Sequence, residues 1–182
     1  GDVYKRQVMK IRKINVFLLF FLIFTMILGC QERKGLKEGV IITDLKGDKI
    51  TLPEDPERIV VLAPDLLEII YYLDLDKLVV GRVIEADYPE EVKNIPDVGN
   101  FQRPDIEKIV KLQPDLVLST GLVQEKTTEK LKQLGIPVLE LYINSFDELF
   151  LVFDILGSIT NSSVNTEVKK QKLKQRLNTV SY

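Results

Sequence analysis

Histidine is absent from this chain of 182 residues, and cysteine occurs once. Without histidine, Ser-His-Asp and Cys-His catalysis are excluded, as are zinc, manganese or haem held by imidazole. A single cysteine excludes disulfides within the chain, so the hydrophobic core must stabilise the fold unaided. No G-x-G-x-x-G and no Walker A run occurs, so a nucleotide would find no recognisable phosphate cradle. Carboxylate catalysis stays formally open, but no pair of acids is singled out by position, and no enzyme activity, cofactor or metal site is expected.

Positive charge is also scarce where it would matter. The chain has 25 basic and 27 acidic residues, a net charge of -2. Five of the basic residues (Lys5, Arg6, Lys10, Arg12, Lys13) and one acid (Asp2) fall in residues 1–29, which leaves a net charge of -6 from Cys30 onwards. A mildly acidic domain has no electrostatic case for nucleic acid. The roughly 150 residues after the leader are enough for one core.

Residues 9–30 combine a basic head, an apolar run and the cysteine. Lys10, Arg12 and Lys13 favour the cytoplasmic side of a membrane. The apolar stretch Ile14 to Ile27 has about 14 residues, too short to span a ~30 Å hydrocarbon core but the right length for a signal-peptide core. Ile27-Leu28-Gly29-Cys30 resembles a bacterial lipobox. That resemblance implies cleavage after Gly29, residues 9–29 as a lipoprotein signal peptide, and Cys30 as the lipidation site that anchors the protein to the membrane. Residues 1–8 precede the start methionine Met9, add nothing to an export signal and read as non-native; Val180-Ser181-Tyr182 reads as similar debris. Residues 30–38 are polar and rich in glycine and lysine, as in a flexible tether.

Two short β-rich runs, Val40–Thr43 and Lys49–Leu52, then form a hairpin signal. From Arg58 the pattern is β followed by α, repeated. The strands are Ile59–Leu62, Leu78–Gly81, Leu116–Leu118 and Val138–Leu141. Asp65 is placed to cap the first helix, Pro104-Asp105 opens the second, and Gly135 closes the third. Ser145-Phe146-Asp147-Glu148 reads as a capping box, and Ser163–Val180 as a longer helix with an apolar stripe at Val164, Val168, Leu173, Leu177 and Val180. The expected class is α/β: a parallel, Rossmann-like βα-repeat lobe with an N-terminal β-hairpin and a long C-terminal helix. Ligands of such sheets bind outside the strands' carboxyl ends, here Ala63-Pro64-Asp65, Arg82 to Glu85, Ser119-Thr120-Gly121 and Tyr142 to Asn144.

A series of local motifs resembles the iron-chelate/cobalamin class of substrate-binding proteins of ABC importers. These are Pro56-Glu57-Arg58-Ile59-Val60, Leu62-Ala63-Pro64 with Glu68, Val79-Val80-Gly81 and Asp87-Tyr88-Pro89. Pro96-Asp97-Val98-Gly99, Ile106-Glu107-Lys108-Ile109, Gln113-Pro114-Asp115-Leu116 and Leu134-Gly135-Ile136-Pro137-Val138 continue them in order. The resemblance implies a lobe at 39–145, a connecting region and interlobe helix at 146–182, and a second lobe beyond, so that the chain is a fragment. It implies capture of a small-molecule metal chelate (cobalamin or a related corrinoid, ferric siderophore or haem) for a permease and its ATPase.

The resemblance also implies site residues. Pro64, Tyr88, Phe101 and Thr120 match cleft-facing positions of the vitamin B12-binding members, with Asp65 beside them. Glu85 stands where some of those members carry a second aromatic, and Phe101 where they carry tryptophan. Arg82 and Arg103 are candidates to pair with carboxylates of a siderophore or haem propionates. Glu107 matches an acidic residue that docks on a permease arginine, although an acid in the first turn of a helix is favoured by the helix dipole in any case. The competing readings are a surface-anchored α/β enzyme and a single-lobe surface lipoprotein without a transport role.

Overall fold

The computed structural model describes residues 39–43, 49–120 and 124–180. The expected signal peptide, Cys30, the expected tether and residues 44–48 therefore lie outside the described residues. Strands β1 (Gly39–Thr43) and β2 (Lys49–Pro53) pair antiparallel, with Ile42 and Leu52 buried. The main sheet holds β3 (Ile59–Val61), β4 (Val79–Arg82), β5 (Leu116–Ser119) and β6 (Val138–Glu140), all parallel. Every residue of β3 and β5 is buried, which explains their unbroken apolar sequences: a strand covered on both faces has no polar side to show.

The strand order is β4-β3-β5-β6. The chain goes from β3 out to β4 and then returns to the other side of β3 for β5. The connections leave in opposite directions at the β3–β5 boundary, and at such a switch point a crevice opens at the carboxyl ends. Beyond β4 the sheet is prolonged by the segment 96–99: Arg82 N–H donates to Pro96 O at 3.1 Å, Val98 N–H to Arg82 O at 2.8 Å and Ile84 N–H to Gly99 O at 2.9 Å.

Helix α1 (Pro64–Tyr72) buries Leu66, Leu67 and Ile70. Its N-cap is Ala63, without a side-chain bond, and not Asp65. Pro64 occupies the first helical position, where its missing N–H removes no intrahelical bond, which moves Asp65 into the first turn. The other caps follow the sequence. Asp105 accepts from Lys108 N–H at the start of α2 (Ile106–Lys111), and Gly135 takes a φ of +77° just beyond α3 (Glu125–Gln133). Ser145 accepts from Glu148 N–H at the start of α4 (Phe146–Ile159), while the Glu148 carboxylate accepts from Asn144 N–H at 2.6 Å.

The core runs through the sheet and includes Val152, Phe153, Leu156 and Ile159 of α4. Helix α5 (Ser163–Val180) lies antiparallel to α4, as three contacts stepping in opposite directions show. Gly157 faces Thr166, Asp154 pairs with Lys170 at 2.5 Å, and the Lys174 ammonium sits 4.7 Å from the Phe150 ring centre. The stripe expected on α5 is packed only in part: Leu173 lies partly buried against the core, whereas Val164 and Val168 are 82% and 62% exposed. Polar contacts orient the helix instead, with Asn165 Nδ2 donating to Leu73 O at 3.0 Å and Lys169 pairing with Asp74 at 2.8 Å. Among the described residues, no helix is long and apolar enough to cross a membrane.

Candidate ligand-binding site

The carboxyl ends of β3 and β5 meet at the switch point. Their pairing runs to Val61–Leu118, after which Leu62 N–H still donates to Leu118 O at 2.9 Å. Pro64, at the start of α1, and Thr120, directly after β5, follow these neighbouring strands, and both are half-buried. Asp65 and Glu68 are exposed on the first two turns of α1.

The turn carrying Phe101 is held to the same place. Its neck is closed by a bridge between Gly99 and Pro104 and by Asp105 N–H donating to Val98 O at 2.7 Å. Gly99 adopts a φ of +96°, and a Cβ there would meet Asp105 N at 3.0 Å, so glycine is required on both counts. Inside the turn, Arg103 N–H donates to Asn100 Oδ1 at 2.7 Å. Phe101 itself is gripped on either side of its peptide. Its N–H donates to Glu85 Oε2 at 2.8 Å, and its carbonyl accepts from Gln124 Nε2 at 2.8 Å.

Gln124 carries no signal in the sequence beyond its place after a strand's carboxyl end, yet it is 1% exposed. Its Nε2 also donates to Leu62 O at 2.6 Å, and its Oε1 accepts from Ser119 Oγ at 2.6 Å. One carboxamide thus joins the ends of β3 and β5 to the Phe101 turn.

The remaining expected site residues divide by exposure. Tyr88 is 67% exposed on the loop leaving β4, ahead of a cis bond to Pro89; Arg103 is exposed on the Phe101 turn, and Glu107 in the first turn of α2. Arg82 is turned the other way. It is 8% exposed, with Nε donating to Val92 O at 2.7 Å and Nη1 to Val83 O at 3.0 Å and Ile84 O at 3.3 Å. Its guanidinium holds the loop after β4 by backbone carbonyls, which removes it from the surface a ligand would meet. Glu85 likewise spends one carboxylate oxygen on the Phe101 backbone. The segments that follow the strands' carboxyl ends carry aromatic and apolar side chains at Phe101, Tyr88, Pro64 and the exposed Ile84. The same segments expose an acidic fringe of Asp65, Glu68, Glu85 and Asp87, with Arg103 as the cation on the Phe101 turn.

The family model for periplasmic binding proteins matches residues 59–180, which takes in the sheet, the crevice and both C-terminal helices. This chain belongs to the periplasmic binding protein family. A Bacillus subtilis relative described as an uncharacterized ABC transporter substrate-binding lipoprotein, YvrC, is 28% identical over 180 residues, 91% of this chain and 57% of the relative. The vitamin B12-binding protein of Vibrio parahaemolyticus is 37% identical over 91 residues, 49% of this chain and 33% of that protein. Among solved structures, the periplasmic vitamin B12-binding protein BtuF of Vibrio cholerae superposes with a TM-score of 0.64 at 29% identity, covering 69% of this chain and 50% of that one. The chain therefore spans little more than half the length of these periplasmic binding proteins at most.

Proposed function

We propose that this chain is part of a substrate-binding lipoprotein of an ABC importer, which captures cobalamin or a related corrinoid and delivers it to a membrane permease powered by a separate ATPase. The observation that carries the reading is the family's sheet with a crevice at its switch point, over which an aromatic turn is fixed. A flat macrocycle gains large contact area from aromatic rings at low entropic cost. The charges favour the corrinoid over the alternatives. With Arg82 occupied by backbone carbonyls, the acidic fringe is opposed by Arg103, and a polycarboxylate chelate or haem propionates would meet like charge. Arg103 is the feature that favours a ferric siderophore or haem, the second reading.

In this reading the protein is exported, tethered through acylated Cys30, and faces the periplasm or the cell exterior. Glu107, exposed and clear of the Phe101 turn, offers a charge for docking on the permease. Calorimetric titration of the full-length protein with cyanocobalamin, hemin and a carboxylate-bearing ferric siderophore tests the assignment. Submicromolar binding of cyanocobalamin alone is expected. Binding of hemin or siderophore in its place would transfer the site to the second reading.

A further inference from the structure

We infer that Gln124 is the positioning residue of the crevice, holding the Phe101 turn in the geometry from which its ring meets a ligand. The inference rests on the ligand reading above and names the residue that makes the site ready.

Glutamine is the side chain the position demands. The carbonyls of Leu62 and Phe101 only accept, so the group between them must donate twice; the Ser119 hydroxyl donates, so it must also accept once. A carboxamide supplies two donors and an acceptor in one plane. A carboxylate of the same shape would set an oxygen against two carbonyl oxygens. An apolar side chain would leave both carbonyls without this partner in a site where unpaired polar groups are costly.

Other contacts act at different points of the turn. The Asn100–Arg103 bond and the Gly99–Pro104 bridge shape it internally, Ile84 N–H and Glu85 tie it to the segment after β4, and the Phe101 side chain packs partly buried against the core. Among the described residues, the bonds of Gln124 are those that connect Phe101 to β3 and β5, the rigid strands at the switch point. Rigidity there matters because a ring that must be ordered on binding loses affinity to the ordering. Loss of the clamp would loosen the turn from β3 and β5 without altering the ring itself.

Gln124→Met and Gln124→Glu, made in the full-length protein, test this by amide hydrogen exchange and by titration with cyanocobalamin. Two variants are used because burial of an unpaired group can prevent folding in one of them. The expected result is faster exchange at Phe101 to Arg103, by about tenfold, with β3 and β5 amides still protected, and a similar loss of cyanocobalamin affinity. Unchanged exchange in the turn of a folded variant overturns the clamp. A loosened turn with wild-type affinity overturns its role in binding. If wild type binds neither cyanocobalamin, hemin nor a ferric siderophore, the ligand reading falls and takes the binding role with it, while the exchange rates still decide the clamp.

Discussion

Lys108 Nζ lies 2.9 Å from Asp97 Oδ1, which fastens the first turn of α2 to the edge segment leading into the Phe101 turn. The same oxygen accepts from Gly99 N–H at 3.2 Å. The Lys108 hydrogen bond first, and then the Gly99 N–H, hold the Asp97 carboxyl below the usual carboxylate range. The contact with Asp97 is in turn what raises Lys108.

A carboxyl whose folded pKa is depressed stabilises the fold above its unfolded value near 4, and the benefit is lost as the pH falls through the folded value. Both side chains are exposed, so the effect is small and screened by salt. Asp97→Asn is expected to melt below wild type at neutral pH, with the gap closing as the pH drops from about 5 to about 2. Melting temperatures across that range check it; a constant gap would mean that the ionised carboxylate contributes nothing.

In the full-length protein, Phe101→Ala and Tyr88→Ala should each weaken cyanocobalamin binding. Removing an aromatic anchor from a desolvated pocket commonly costs ~2 kcal/mol, roughly thirtyfold. Glu107→Ala should bind as wild type does in solution yet reduce uptake by cells. Calorimetry and transport assays on the three variants separate the two surfaces, and a loss of affinity confined to Glu107→Ala would invert the assignment.

Gly157 of α4 lies against Thr166 of α5. A Cβ built there would collide with the Thr166 side chain, whose residue is 2% exposed. Gly157→Ala should therefore destabilise by about 1–3 kcal/mol despite the better helix propensity of alanine, because the helices must move apart. Adding Thr166→Ala should recover part of the loss in urea denaturation, and an additive double mutant would show that the two positions do not press on each other.

Asp115 ties the start of β5 to the segment before β3, with its two carboxylate oxygens accepting from Glu57 N–H at 2.8 Å and Arg58 N–H at 3.0 Å. The Arg58 guanidinium in turn donates to the carbonyls of Leu112 and Gln113. Asp115→Ala should cost about 1–2 kcal/mol in the same denaturation experiment, the range for a charge-assisted bond to backbone at a partly exposed site. No change in the midpoint would reduce these contacts to incidental neighbours.

In the lipoprotein reading the Cys30 thiol accepts the lipid, so Cys30→Ser should abolish labelling with a fatty-acid analogue and leave an unprocessed precursor. Equal labelling of both proteins would end the lipoprotein assignment.

The strands and their parallel sheet were legible in the sequence because burial on both faces writes an unbroken apolar run, as at Ile59 to Val61 and Leu116 to Leu118. Asp105, Gly135 and Ser145 were legible because a cap is a local bargain between neighbouring backbone groups. The cap of α1 was misplaced by two residues, at Asp65 and not Ala63, because Pro64 already satisfied the helix start. The strand order, by contrast, depends on which side of β3 each crossover returns to, and that is settled by packing between segments far apart in the chain. The same is true of the site. Arg82 at the end of β4 and Glu85 just beyond it occupy positions where a ligand contact was expected, and only the folded chain shows their charged ends on its own backbone. Val164 and Val168 have helical spacing, yet α4 offers Gly157 and Asp154 to the opposite face of α5, so Thr166 and Lys170 are packed in their stead. Gln124 had no pattern to betray it. Its role exists because two strand ends and a distant turn converge on one point, and hydrogen-bond partners brought together by tertiary structure leave no periodicity in a sequence.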